Sequence, residues 1–166
     1  MGLMSAVAFM HSGVGMHGIM VQMFNHGINI TGMWLIVSMV EERWGTRDMT
    51  KMGGMATVAP RMAIALVIIS LANIALPLTN GFVGEFLILL GAFKAKWWYG
   101  AVAVTGVIFG AAYFLWYYER AMLGPLSKNI SATIKDLHMR EITIALSLSV
   151  MILWIGLYPS PFLRMM

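Results

Sequence analysis

The sequence contains no cysteine, so this chain forms no disulfide, ligates no cysteinyl iron–sulfur cluster and attaches no thioether haem. Any electron transfer it serves takes place on another polypeptide. Charge is scarce as well. Only 11% of the 166 residues are Asp, Glu, Lys or Arg, against roughly 25% in soluble domains. With 60% of its residues hydrophobic, the chain lacks the polar side chains that a soluble fold of this size needs to cover itself. A basic stripe is also missing: 11 Lys and Arg stand against 7 Asp and Glu, a net +4, and the basic residues are spread over several short segments. That distribution suits lipid headgroups and excludes nucleic acid as a partner.

What the sequence does have is apolar runs of helical length, with the charges clustered between them. Leu3 to Met10 is about half of a spanning helix and stops at His11-Ser12-Gly13. No basic region precedes it and no small-residue cleavage site follows, so it reads as the end of a helix begun in a longer protein and not as a signal peptide. Met16 to Val40 has spanning length and closes at Glu41-Glu42-Arg43, followed by the loop Gly45 to Gly54. Val58 to Leu76 is the next span, with Pro60 tolerated in its first turn. It stops at Pro77-Leu78-Thr79-Asn80-Gly81, the densest helix-breaking signal in the chain. Phe82 to Phe93 is too short to span alone and runs into Lys94-Ala95-Lys96-Trp97-Trp98-Tyr99, an interfacial cluster. A short apolar helix beside a Pro/Gly break is the pattern of a discontinuous membrane helix. Gly100 to Tyr118 spans again, Gly124 to His138 is a polar loop carrying Lys128 and Lys135, and the last helix, about Arg140 to Tyr158, ends at Pro159-Ser160-Pro161. The fold class is therefore an all-α, polytopic transmembrane bundle. Threading these runs alternately puts Arg43, Arg47, Lys51, Arg61, Lys94, Lys96 and Arg164 on one side and Arg120, Lys128, Lys135 and Arg140 on the other, too even a division to orient the bundle.

Two residues carry candidate chemistry. Glu85 stands in an apolar segment with no basic residue within eight positions on either side. A carboxylate at membrane depth costs about 2.5–3.5 kcal/mol on insertion scales, so intramembrane acids are functional candidates by default. Low dielectric penalises the charged form, which suits Glu85 to exchanging a proton; the alternative is a carboxylic acid that only hydrogen-bonds a neighbouring helix. His26 belongs to a polar stripe, Gln22, Asn25, His26 and Asn29, whose spacings of three and four put it on one helix face. Facing inward, such a stripe can relay protons through an imidazole that titrates near neutrality, or it can merely join helices at about 1 kcal/mol or less per contact. Both roles stay open for His26; joining suits the amides better.

Gly13-Val-Gly-Met-His-Gly18 matches the glycine spacing of dinucleotide-binding loops, but that motif needs a preceding strand, a soluble βαβ unit and an acid about twenty positions on. Here a membrane span follows, with Glu41 and Glu42 at its far end, so the segment is expected to be a connection between helices. His11, His17 and His26 make no metal set, lacking a nearby Cys or carboxylate. The aromatic groups Trp97-Trp98-Tyr99 and Trp116-Tyr117-Tyr118 read as interfacial anchors, and the 17 methionines as fillers of irregular helix–helix gaps.

Several ordered motifs resemble the antiporter-like subunits of respiratory complex I, and among them chain M, called subunit 4 in mitochondria. These are Met1-Gly2, continuing a His-Met-Gly signature; Gln22-Met-Phe-Asn-His-Gly27; Glu42-Arg-Trp-Gly-Thr-Arg-Asp48; Met52-Gly-Gly54; Leu76-Pro77 followed by Gly81-Phe-Val-Gly-Glu-Phe86; and Gly156-Leu-Tyr-Pro159. The resemblance covers essentially the whole chain. It implies that Glu85 is the acid of the broken helix in the C-terminal half-channel and His26 the histidine on the nearby proton path. Glutamate at this position is similar to chain M, where sister chains L and N and related Na⁺/H⁺ antiporter chains usually have lysine. Residues 1–166 would then be a single membrane-domain fragment. The family's N-terminal part, with its own broken helix and lysine, the lysine of the next helix and the paired glutamate, is missing from it. The implied function is redox-coupled proton translocation as a subunit of NADH:quinone oxidoreductase. NADH, FMN, iron–sulfur clusters and quinone would lie on partner membrane and peripheral subunits. The expected location is the bacterial plasma membrane, with the mitochondrial inner membrane as the other possibility. Two alternatives are a subunit of a cation/proton antiporter or membrane-bound hydrogenase, and a non-transporting structural segment.

Overall fold

The computed structural model describes residues 2–9, 13–125 and 134–165; Met1, His11 and Lys128 fall outside them. Every regular element among these residues is helical: α1 (Gly2–Phe9), α2 (Gly13–Trp44), a 3₁₀ turn at Met49–Lys51, α3 (Met55–Val58), α4 (Pro60–Asn73), α5 (Asn80–Ala95), α6 (Trp97–Met122), α7 (Met139–Leu157) and α8 (Ser160–Met165).

The longest element, α2, has 32 residues, roughly 48 Å at 1.5 Å per residue. It begins earlier and ends later than the span expected from the sequence, because nothing from Gly13 to Trp44 breaks a helix. The glycine-spaced segment is thus not a connection: Gly13 to Gly18 form the first turns of α2, and Gly15 and Gly18 are buried. A β-carbon on Gly18 would lie 2.7 Å from Leu87 Cβ and 2.9 Å from the Ile88 backbone nitrogen, so the absence of a side chain there lets α2 and α5 approach.

Pro60 occupies the start of α4, and α3 is set off from α4 at Ala59, the residue whose helical conformation Pro60 disfavours. The first amides of α4 are capped from far along the chain. The Asp136 carboxylate accepts from Arg61 N at 2.9 Å and Met62 N at 3.2 Å, satisfying donors that a helix start leaves unpaired.

Both α4 and α5 lie antiparallel along α2. Gly32 abuts Ile69, Asn29 reaches Ala72, Asn25 reaches Asn80, and Gln22 meets Gly84 and Glu85. Between Ala72 and Asn80 eight positions pass while α2 advances four, from Asn29 to Asn25. About one helical turn therefore loops out, leaving Leu76, Pro77 and Leu78 exposed. Ala75 (φ 53°) and Leu78 (φ 81°) take left-handed backbone conformations there, which are unfavourable for side-chain-bearing residues. The discontinuous helix predicted at Pro77–Gly81 is this interruption.

That register corrects the charge threading. Because α4 and α5 make one crossing, Lys94 and Lys96 lie at the end opposite Arg61. Gly54 N donates to Leu123 O, Arg43 Nε donates to Lys135 O at 3.0 Å, and Arg61 N binds Asp136. One end of the bundle therefore gathers Arg43, Arg47, Lys51, Arg61, Arg120, Lys135 and Arg140. The other end holds Lys94 and Lys96, and Arg164 lies beyond α7 in α8. Counting apolar lengths had treated two half-helices as two crossings.

Helices α6 and α7 are each long and apolar enough to cross a membrane. Only 6% of the α6 span is buried against the rest of the chain, so α6 turns most of its surface outward. The main apolar core forms where α2, α3, α4 and α7 meet, around Ile36, Met55, Met62, Leu66, Ile69 and Ile152.

Candidate functional site

A cavity of about 630 Å³, open on one side, lies beside the interruption and is lined by α2, α4, α5 and α6, with α1 at its edge. Its polar wall comes from Gln22, His26 and Asn29 on α2, Asn73 at the end of α4 and Glu85 on α5. The facing wall is α6, which presents Ala103, Gly106, Val107, Gly110 and Ala111 at helical spacing. A β-carbon on Gly106 or Gly110 would meet nothing within 4 Å, so the space between this part of α6 and the polar wall is left unfilled.

The two residues singled out in the sequence, Glu85 and His26, are brought to this one cavity. Glu85 sits five residues past the start of α5 and is half-buried. Its carboxylate accepts a long hydrogen bond, 3.5 Å, from Gln22 Nε2, and no cation among the described residues forms an ion pair with it. Gln22 and Glu85 meet because Gly84 lacks a side chain: a β-carbon there would lie 2.7 Å from Gln22 Cβ and 2.9 Å from Gln22 Cα. His26, one turn along α2 from Gln22, is half-buried and lines the cavity.

The amides divide from the histidine in what they do. Asn25 Nδ2 donates to Asn80 O at 2.8 Å and Asn29 Nδ2 to Ala72 O at 3.1 Å. These two side chains fasten the ends of the interrupted helix to α2, as expected of residues that join helices. Buried polar atoms remain around them: Gln22 Oε1, Asn25 Oδ1, Asn29 Oδ1 and Asn80 Nδ2 have no hydrogen-bond partner among the described residues. Each is a cost to the packing of α2 against the break, since a buried polar group without a partner is unfavourable. Sequence reasoning missed Asn73 and the small face of α6. An amide just ahead of the Pro77 break was the available signal for Asn73; the α6 face carries no chemical signature. His17 is exposed on α2 and does not line the cavity.

Residues 1–112 match the family described as NADH:quinone oxidoreductase/Mrp antiporter, TM. NADH-quinone oxidoreductase subunit M of Rhodobacter capsulatus is 39% identical over 160 residues, 96% of this chain and 31% of that protein. NADH-ubiquinone oxidoreductase chain 4 of Marchantia polymorpha is 37% identical over 152 residues, 92% of this chain and 31% of that protein. A chain in the structure of respiratory complex I from Thermus thermophilus with bound NADH superposes with a TM-score of 0.89 at 34% identity, over 98% of this chain and 34% of that one. A chain of the Mrp complex from Dietzia sp. DQ12-45-1b shares the fold, with a TM-score of 0.77 at 20% identity over 89% of this chain and 35% of that one. The chain spans about a third of the length of the relatives it matches.

Proposed function

We propose, from the premise that this chain belongs to the NADH:quinone oxidoreductase/Mrp antiporter family of transmembrane proteins, that it is the C-terminal part of a proton-translocating subunit M of NADH:quinone oxidoreductase. Residues 1–166 form one membrane unit of that subunit. It works with other membrane and peripheral subunits, and NADH, FMN, iron–sulfur clusters and quinone reside on those partners. A bacterial plasma membrane is the proposed location, R. capsulatus subunit M being among the most similar relatives.

The observation that carries this reading is the single cavity lined by Glu85, Gln22 and His26 beside a broken helix. Glu85 is the proton carrier. Its carboxyl oxygens are the titrating atoms, and Gln22 Nε2 holds one of them at the cavity wall without supplying a charge that would pin the carboxylate. His26 relays: an imidazole can accept a proton at one ring nitrogen and release one from the other to a neighbour. The cavity that both residues line has room for water to complete the path. Redox energy reaches this site from partner subunits, so the chain contributes proton transfer and no electron transfer.

The test is Glu85→Gln in the assembled enzyme. Glutamine keeps the size and most of the hydrogen bonding but neither gains nor loses a proton in the working pH range. The proton-to-electron ratio in sealed vesicles should fall, while electron transfer from NADH to an artificial acceptor at the peripheral arm is preserved. Glu85→Asp should retain more of the ratio than Glu85→Gln. An unchanged ratio and rate for Glu85→Gln, with assembly verified separately, would reject the relay and leave a structural carboxylic acid.

A further inference from the structure

The interruption between α4 and α5 is held on two sides. On one, the α2 amides of Asn25 and Asn29 grip the carbonyls of Asn80 and Ala72, the ends of the two half-helices. On the other, the last turn of α7 presses on the looped-out segment itself. A β-carbon on Gly156 would lie 2.5 Å from Thr79 C and 2.6 Å from Leu78 C, and closer still to Leu78 O. These are backbone atoms, which cannot swing aside as the end of a flexible side chain can. The segment they belong to is tight: Thr79 is buried, and both its amide and its hydroxyl donate to Leu76 O, at 3.0 Å and 2.7 Å. Leu78 is held there at φ 81°, a conformation the surrounding structure must impose. Ile152 and Ile155, both fully buried, anchor the turn of α7 that carries Gly156.

From these contacts we infer that Gly156 is a positioning residue for the proton-transfer site: it sets the angle between the two half-helices and thereby where Glu85 stands against Gln22. The inference rests on the role proposed for Glu85. Its geometry is that of a lever. Glu85 lies six to seven residues beyond the Leu78–Thr79 peptide on a rigid helix, an arm of roughly 10 Å at 1.5 Å per residue. Rotating α5 by about 10° about the break would move the carboxylate by somewhat under 2 Å on that arm. The Gln22–Glu85 contact is already 3.5 Å, at the outer limit of a hydrogen bond, so such a rotation would end it or replace it. The three atoms nearest to a β-carbon on Gly156 all belong to the Leu78–Thr79 backbone, so its effect on Glu85 is indirect.

The experiment uses the assembled enzyme and three variants, Gly156→Ala, Leu78→Gly and the two combined. The alanine methyl should push the Leu78–Thr79 peptide away from α7 and tilt α5. We expect a lower proton-to-electron ratio, a displaced pH profile of coupled activity, and altered labelling of Glu85 by a hydrophobic carbodiimide, with NADH oxidation by an artificial acceptor unchanged. Leu78→Gly alone should stay near native: Leu78 is 62% exposed and glycine adopts a positive φ freely. In the double variant the freed peptide can rotate its carbonyl away from the new methyl, so at least half of the lost ratio and the native labelling should return. A packing defect of α7 alone would not be repaired from Leu78. Should Gly156→Ala assemble poorly, the same rescue is read on the amount of assembled enzyme as well as on the ratio. A double variant no better than Gly156→Ala overturns the inference, and so does a silent Gly156→Ala in an enzyme where Glu85→Gln is impaired. A silent Glu85→Gln removes the proposed function instead, which keeps the two failures apart.

Discussion

Replacing Arg43 by methionine tests how the charged end of the bundle is locked. The Arg43 guanidinium makes three bonds: Nη2 to Glu141 Oε2 at 2.6 Å, Nε to Lys135 O at 3.0 Å and Nη1 to Met39 O at 3.1 Å. It thus joins the last turn of α2 to the first turn of α7 and to the segment that caps α4. Exposed ion pairs contribute about 0–1 kcal/mol, whereas breaking a buried pair costs about 3–5 kcal/mol through the charge left behind. The side chains here are 11% and 13% exposed, and Glu141 would keep the His138 amide at 2.7 Å. The Arg43→Met cost should therefore fall near 2–3 kcal/mol, between those limits. Removing both charges, Arg43→Met with Glu141→Leu, should cost about 1 kcal/mol, since no unpaired carboxylate remains. The assay is unfolding of the detergent-purified chain by SDS titration, followed by loss of helicity. A single-variant cost below about 0.5 kcal/mol, or a double variant as poor as the sum of the singles, would refute the reasoning.

The other outcomes are simpler to read. Asn29→Leu removes the donor to Ala72 O at nearly constant volume and should cost about 0.5–1.5 kcal/mol in the same titration; no measurable cost would mean that α2 does not fasten the break. The chain has no cysteine of its own, so Thr46→Cys and Lys96→Cys can be labelled singly in intact membranes with an impermeant maleimide. The two should react from opposite faces, position 46 from the cytoplasmic face where Lys and Arg concentrate. Labelling from the same face would contradict the single crossing made by α4 and α5.

How far the sequence could be read depended on what kind of signal each part carries. Helices α6 and α7 were legible because each is an apolar run of spanning length bounded by charge or proline, Glu85 because an acid isolated in an apolar run is conspicuous, and His26 because its polar stripe recurs on one helix face. The sidedness of Lys94 and Lys96 was not legible. Two short apolar segments look the same on paper whether they cross once together or once each, and only the contacts of Asn25 and Asn29 decide between these. The Gly13–Gly18 spacing misled for a related reason: a glycine that permits a turn and a glycine that admits a neighbouring backbone are written with the same letter. Gly106 and Gly110 gave no sign at all that they face a cavity, since their contribution is the volume they leave unfilled.

The looped-out turn beside Asn25 and Asn29 bears on how this region tolerates changes in length. Each residue added to or removed from a helix rotates everything beyond it by 100°. Within Asn80–Glu85 a single insertion or deletion would swing the carboxylate to another side of α5, away from Gln22, however intact the helix remained. An extra residue between Leu76 and Leu78, where the backbone is already out of helical phase and exposed, leaves the order of faces along α5 intact, and α5 keeps its place when the longer loop still seats the Leu78–Thr79 peptide against Gly156. The interruption thus acts as a phase buffer, which lets the timing of α5 against α2 be set independently of the length of α4.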